Sequence, residues 1–273
     1  MDVEKVTNRV HSDYEFLNEL GYSVVGVFVY GAQNYGMSTP QSDVDTKAII
    51  LPHFNDIIDS KDWASKEYNR DEDGGKLEVK DIRLMFNNYL KQNINFTETL
   101  FTKYFELNPE YAGTWLGAVV KNREAIAHYC PQKAVLTMYG NMKTKYKQMF
   151  HRAPHNEFDM DNYGYGLKDF HHIARLNDFI KRYIDGKETY EEILIPKNPA
   201  LLISYKTTPL PVDEAQKIAD DLIDEAQDLV DKYIEKNKES TVNKDIEEIL
   251  RKVQKTMIAD SLKKELTESE SSS

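Results

Sequence analysis

The chain has 273 residues, room for one large domain or two small ones, and its 40% apolar and 30% charged content is that of an ordinary soluble protein able to bury a core. A net charge of -11 argues against broad, non-specific nucleic-acid binding, which needs a net basic surface, but leaves room for a local basic patch. No apolar run approaches a membrane span, the opening residues do not read as a secretory signal, and a lone Cys130 excludes an internal disulfide; a reducing cytoplasm is the expected location.

In chain order, Val6, Val10, Tyr14, Phe16 and Leu17 repeat at helical spacing over residues 4–19, and Gly21 follows as a stop. Two β-type runs come next, Val24 to Tyr30 and Ala48 to Leu51, the second closed by Pro52. Residues 56–75 are polar, with a loop at Asp71 to Gly75. Leu77 and Val79 alternate with polar neighbours as a third strand, and Asp81 is placed to cap a helix carrying Ile82, Met85, Phe86, Tyr89 and Leu90. A short helix is expected from Thr97 to Phe105, in which Glu98 reads as no more than a helix charge. Helical patterns then run from Tyr111 to Tyr129 and from Pro131 to Phe150. His155 to Gly166 reads as a loop, Leu167 to Tyr183 as a helix, and Ile193 to Pro211 has no clear period. Two amphipathic helices, Ala215 to Ile234 and Val242 to Leu262, precede a tail expected to be disordered.

The segment between the first two β runs carries the chemistry. It reads Tyr30-Gly31-Ala32-Gln33-Asn34-Tyr35-Gly36, a polar turn Ser38-Thr39-Pro40-Gln41-Ser42, then Asp43-Val44-Asp45. Residues two apart on a strand share a face, so Asp43 and Asp45 would present adjacent carboxylates. Their repulsion is relieved by a hard divalent cation such as Mg²⁺. A glycine turn at Gly31 can offer backbone N–H groups to a phosphate. Asp-x-Asp alone is usually a solvated loop end, and Gly-x-x-x-Tyr-Gly alone is a turn; together, between two β runs, they are far more specific.

These motifs resemble the signature of the DNA polymerase beta superfamily of nucleotidyltransferases, and within it the nucleotidyltransferases associated with RNA repair. The resemblance implies an α+β fold: a small mixed nucleotidyltransferase sheet with flanking helices, followed by a mostly helical C-terminal domain. The expected division is residues 1–110 as catalytic domain, 111–265 as helical domain and 266–273 as tail. The implied activity is transfer of a nucleoside monophosphate from an NTP, ATP in the first instance, with Mg²⁺ or Mn²⁺ as cofactor. Asp43 and Asp45 take metal-ligand positions, while Gly31, Ala32, Tyr35, Gly36 and Ser42 take nucleotide-binding ones. The superfamily usually has Gly-Ser where this chain has Gly31-Ala32, so a hydroxyl that helps hold the triphosphate is missing. Tyr35 would stack on a base or pack on the core.

Two-metal phosphoryl chemistry usually wants a third carboxylate, and Glu78, between apolar Leu77 and Val79, is the expected one; Asp81 is the rival but suits a cap. A second constellation lies further on. Seven cations and four of the seven histidines gather between Lys133 and Arg182. Lys168, His172 and Arg175 line one helix face at spacings of 4 and 3. Tyr165-Gly166, Lys168, His172 and Arg175-Leu176 resemble the helical half of the same nucleotidyltransferases, which implies phosphate contacts. His171 reads as structural, and Lys143 and Lys147, at i and i+4, as an acceptor-binding pair. The acceptor hydroxyl would belong to an RNA or tRNA end, with a protein or small molecule as alternatives; the remaining alternative is an inactive nucleotide-binding or interaction module. Oligomeric state is not legible.

Overall fold

The computed structural model describes residues 2–39, 42–70, 74–239 and 241–271. The expected turn residues Pro40 and Gln41, the loop residues 71–73 and the last two tail residues lie outside that set. The chain folds as α+β and divides into two compact units. The first comprises Met1–Asn34, Ser38–Tyr129 and Val242–Ser273; the second comprises Tyr35–Met37 and Cys130–Thr241. Among the described residues, no helix is long and apolar enough to cross a membrane.

The first unit opens with α1 (Val3–Glu19), capped by the Asp2 side chain on the Lys5 N–H and released at Gly21, whose φ is +79°. Then come β1 (Ser23–Tyr30), β2 (Asp45–Leu51), α2 (Phe54–Ile58), β3 (Ser65–Asn69) and β4 (Lys76–Asp81). These are followed by α3 (Ile82–Leu90), α4 (Ile94–Thr97), β5 (Phe105–Leu107), α5 (Pro109–Thr114), a π-helical turn Trp115–Val119 and α6 (Arg123–Ala127). The strands form one mixed sheet in the order β3-β4-β2-β1-β5, with β2 and β4 parallel and the other pairs antiparallel. Val6, Val10 and Leu17 of α1 pack on Val27, Val29, Ala48, Ile50, Leu77 and Val79, which fixes one face of the sheet as core. The opposite face carries Tyr30, Asp45, Lys47 and Glu78 by strand register.

The second unit is helical. It contains α7 (Pro131–Met149), α8 (Glu157–Tyr163), α9 (Leu167–Asp185), α10 (Tyr190–Leu194), α11 (Pro199–Thr207) and α12 (Val212–Lys236). α9 is its axis, buried along most of its length and packed by α7, α10, α11 and α12. α12 packs on both α9 and α7, and its buried residues are the small Ala215, Ala219 and Ala226 with Val230.

Several elements differ from expectation. β3 lies in a stretch read as polar loop, and β5 at the end of a stretch read as helix. α8 replaces the expected loop, ended by Gly164 at φ +80°. The last helix, α13 (Lys244–Ser271), runs into the tail expected to be disordered and belongs to the first unit rather than to the helical one. Its Ile246, Leu250, Val253 and Met257 are buried, and it packs against α2, α3, β2 and the Trp115–Val119 turn.

Candidate active site

β1 delivers the chain to the glycine turn, and β2 carries it back. Tyr30 pairs with Asp45 across the antiparallel ladder, so the turn and the aspartates sit at one end of neighbouring strands. Gly31 has φ +81°, a left-handed conformation that glycine adopts without strain, and opens a three-residue 3₁₀ turn. β2 begins at Asp45. Asp43 therefore stands just before the strand, exposed, rather than within its alternation. Asp45 is half-buried, and its Oδ1 accepts the Lys76 N–H at 2.9 Å.

The Gly31 N–H, expected to face a phosphate, donates instead to Glu98 Oε2 at 2.9 Å. The same oxygen accepts from Asn34 Nδ2 at 3.4 Å, and that amide also donates to the Val29 carbonyl. Glu98 is 1% exposed. A buried carboxylate needs donors to replace its water, and the turn supplies them. Ser42 likewise turns inward: its Oγ accepts the Thr39 N–H at 2.8 Å, which shapes the loop rather than presenting a free hydroxyl.

Glu78 lies on the same sheet face as Asp45, with Lys47 directly opposite it in the register. Its Oε2 is 2.7 Å from Lys47 Nζ and 3.3 Å from Lys80 Nζ, and its Oε1 accepts the Tyr30 hydroxyl at 2.8 Å. Burial alone would raise the Glu78 carboxyl; the adjacent Lys47 and the two hydrogen bonds outweigh it and hold it down at about 2. Burial pushes the Tyr30 phenol above its ordinary value, reinforced by Glu78 and Asp45. Burial also lowers the Lys47 ammonium, against the pull of Glu78. Lys47 is flanked by the rings of Tyr30 and Phe96, 4.3 and 4.5 Å from its Nζ. Asp81 is the α3 cap, on the Arg83 N–H at 2.8 Å and paired with that guanidinium.

Within the second unit, Lys168 is exposed, His172 half-buried and Arg175 buried on α9. The Arg175 guanidinium lies 4.1 Å over the ring of Tyr35, so that ring packs against protein. Arg175 Nε and Nη1 are buried without a hydrogen-bond partner. Burial pushes both neighbouring imidazoles down, His171 to about 4 and His172 well below its ordinary value, with Arg175 and Lys168 adding to it. His171 Nδ1 meets the Leu202 carbonyl at 2.7 Å, the structural role expected of it. Lys143 and Lys147 are both exposed on α7, with the Lys143 ammonium 4.5 Å over Tyr139. Gly36 is exposed at φ +66°, and Ala32 is half-buried.

Sequence reasoning named Glu98 without a role beyond helix charge pairing, quoted Tyr30 only as part of the motif, and did not single out Lys47. A lysine inside the otherwise apolar run of β2 was the available signal for Lys47.

No protein-family model matches the chain, and no curated protein matches it. A solved structure, that of a nucleotidyltransferase-like protein from Exiguobacterium sibiricum 255-15, is similar at 13% identity and a TM-score of 0.32, covering 85% of this chain and 76% of that one. So distant a likeness assigns neither family nor activity.

Proposed function

We propose that the chain is a metal-dependent nucleotidyltransferase that moves a nucleoside monophosphate from an NTP, ATP in the leading reading, to an acceptor hydroxyl. The observation that carries this is the arrival of the Gly31 turn and of Asp43 and Asp45 at one end of paired strands. Mg²⁺ usually takes one or two protein carboxylates and completes its octahedron with water and substrate phosphates. An exposed Asp43 and a half-buried Asp45, two residues apart, meet that need. Bound there, Mg²⁺ or Mn²⁺ would neutralise triphosphate charge and acidify the acceptor hydroxyl.

In the reaction, the acceptor O–Pα bond forms as the bond from Pα to pyrophosphate breaks. Pyrophosphate leaves with the electron pair, and the acceptor proton passes to solvent. The chain's part is positioning and fixed charge. Glu98 holds the glycine turn, and the register holds Asp45 beside it. In the second unit, Arg175 has buried N–H groups without partners, and with Lys168 and His172 it would contact a phosphate. Lys143 and Lys147 would meet an acceptor, an RNA end in the leading reading and a protein or small molecule otherwise. A second reading, an inactive nucleotide-binding or interaction module, is favoured by the Gly31 N–H being engaged by Glu98.

The test is Mg²⁺-dependent transfer of label from α-³²P-NTPs to cellular RNA and protein, wild type beside Asp43→Ala and Asp45→Ala. Label on RNA or protein with wild type alone is the expected result and names the acceptor class. No transfer and no ATP binding by a folded wild type selects the inactive module.

A further inference from the structure

The three-carboxylate expectation placed two metal ions on Asp43, Asp45 and Glu78, and the donor set does not fit it. Glu78 is already compensated. One of its oxygens sits 2.7 Å from Lys47 Nζ and 3.3 Å from Lys80 Nζ, and the other accepts the Tyr30 hydroxyl at 2.8 Å. Lys47 is 1% exposed in the central strand β2, boxed by the faces of Tyr30 and Phe96. An ammonium in that box cannot swing to solvent. Drawing Glu78 away to ligate a metal would leave a buried charge without its partner, an arrangement far costlier than either intact state. A divalent ion seated on Glu78 would also stand against the fixed positive charge of Lys47 with little water to screen it. Among the described residues, no three His, Cys, Asp or Glu side chains are grouped to hold a metal.

We infer that the site takes one divalent cation, on Asp43 and Asp45, and that Glu78, engaged by Lys47, Lys80 and the Tyr30 hydroxyl, is not a metal ligand. The register supports this assignment: Lys47 is two residues along β2 from Asp45 on the same face, directly opposite Glu78. Glu78 is then the partner of Lys47 in the sheet rather than a ligand. This inference rests on the nucleotidyltransferase reading.

The experiment is a Mn²⁺ titration followed by electron paramagnetic resonance, on the full chain with one equivalent of the non-hydrolysable analogue α,β-methylene-ATP. The expected result is one nucleotide-dependent Mn²⁺ per chain, without the broadening of a spin-coupled pair, lost in Asp43→Asn and retained in Glu78→Gln. Two coupled Mn²⁺ ions, or loss of Mn²⁺ in a folded Glu78→Gln protein, overturns the single-ion inference and leaves the nucleotidyltransferase reading standing. No nucleotide-dependent Mn²⁺ binding by wild type overturns the reading and the inference together.

Discussion

The buried carboxylate of Glu98 accepts the backbone N–H of Gly31 at 2.9 Å, across 67 residues of sequence. The turn that shapes the candidate site is therefore tied to a side chain remote in sequence. Glu98→Ala leaves that N–H without a partner and is expected to cost about 1–3 kcal/mol of stability. Glu98→Gln keeps an acceptor and should cost clearly less. Urea unfolding of the two variants beside wild type checks the order; equal losses would remove Glu98 as the anchor.

The Lys47–Glu78 pair should behave as a unit. Lys47→Met takes the nearest cation from a half-buried carboxylate, leaving it Lys80 and the Tyr30 hydroxyl, and is expected to destabilise by about 3 kcal/mol. The double variant Lys47→Met/Glu78→Gln should recover much of that loss, giving a coupling energy in a double-mutant cycle. Additive losses would mean the pair contributes little.

The same pair sets an acid response. The Glu78 carboxyl lies at about 2 in the fold against an ordinary 4.5, so the unfolded chain binds its proton first as pH falls. Its stabilisation is complete above 4.5 and declines from there toward 2. The stability difference between wild type and Glu78→Gln should shrink across that window, and a constant difference would contradict the pairing.

His171 responds in the same direction at higher pH. Burial, helped by Arg175, Lys206 and Lys168, holds its imidazole at about 4 against an ordinary 6.5. Above 6.5 both states are neutral there, and no penalty arises. As pH falls below 6.5 the unfolded chain takes up the proton first, so stability drops, by up to roughly 3 kcal/mol once pH passes 4. His171→Asn, which can still donate to the Leu202 carbonyl, should flatten this part of the profile in urea unfolding at pH 5 and 7.5.

Gly26 pairs with Leu107 where β1 meets β5. A Cβ there would lie 2.7 Å from Leu107 Cδ2 and 2.8 Å from the Glu106 carbonyl oxygen. Gly26→Ala is expected to push β5 away and cost about 1–3 kcal/mol. Faster amide exchange at residues 105–107 would locate the damage, and unchanged exchange there would refute it.

The sequence made some of this plain. α1, β1, β2, α3 with its Asp81 cap, α9 and α12 all carry strong apolar periods or clear stops, and all are present. β3 was not legible because Ser-Lys-Glu-Tyr-Asn has no apolar alternation. It is an exposed edge strand, aligned by backbone pairing to β4 rather than by burial. α11 was missed because its apolar residues do not gather on one face and only Leu202 is buried. At the site, Asp43 and Asp45 were singled out from strand spacing, but β2 begins at Asp45 and Asp43 precedes it. The roles of Glu98 and Lys47 were not legible, because their contacts are made across 67 and 31 residues and only the sheet brings them together.

The return of α13 to the first unit makes that unit discontinuous in the chain. During synthesis its sheet is complete long before the helix that covers α2, α3 and β2 exists. All of Cys130–Thr241 must be translated in between, on the order of ten seconds at ribosomal speed. For that interval the apolar surface later covered by Ile246, Leu250, Val253 and Met257 stands open, an aggregation hazard until that helix is made.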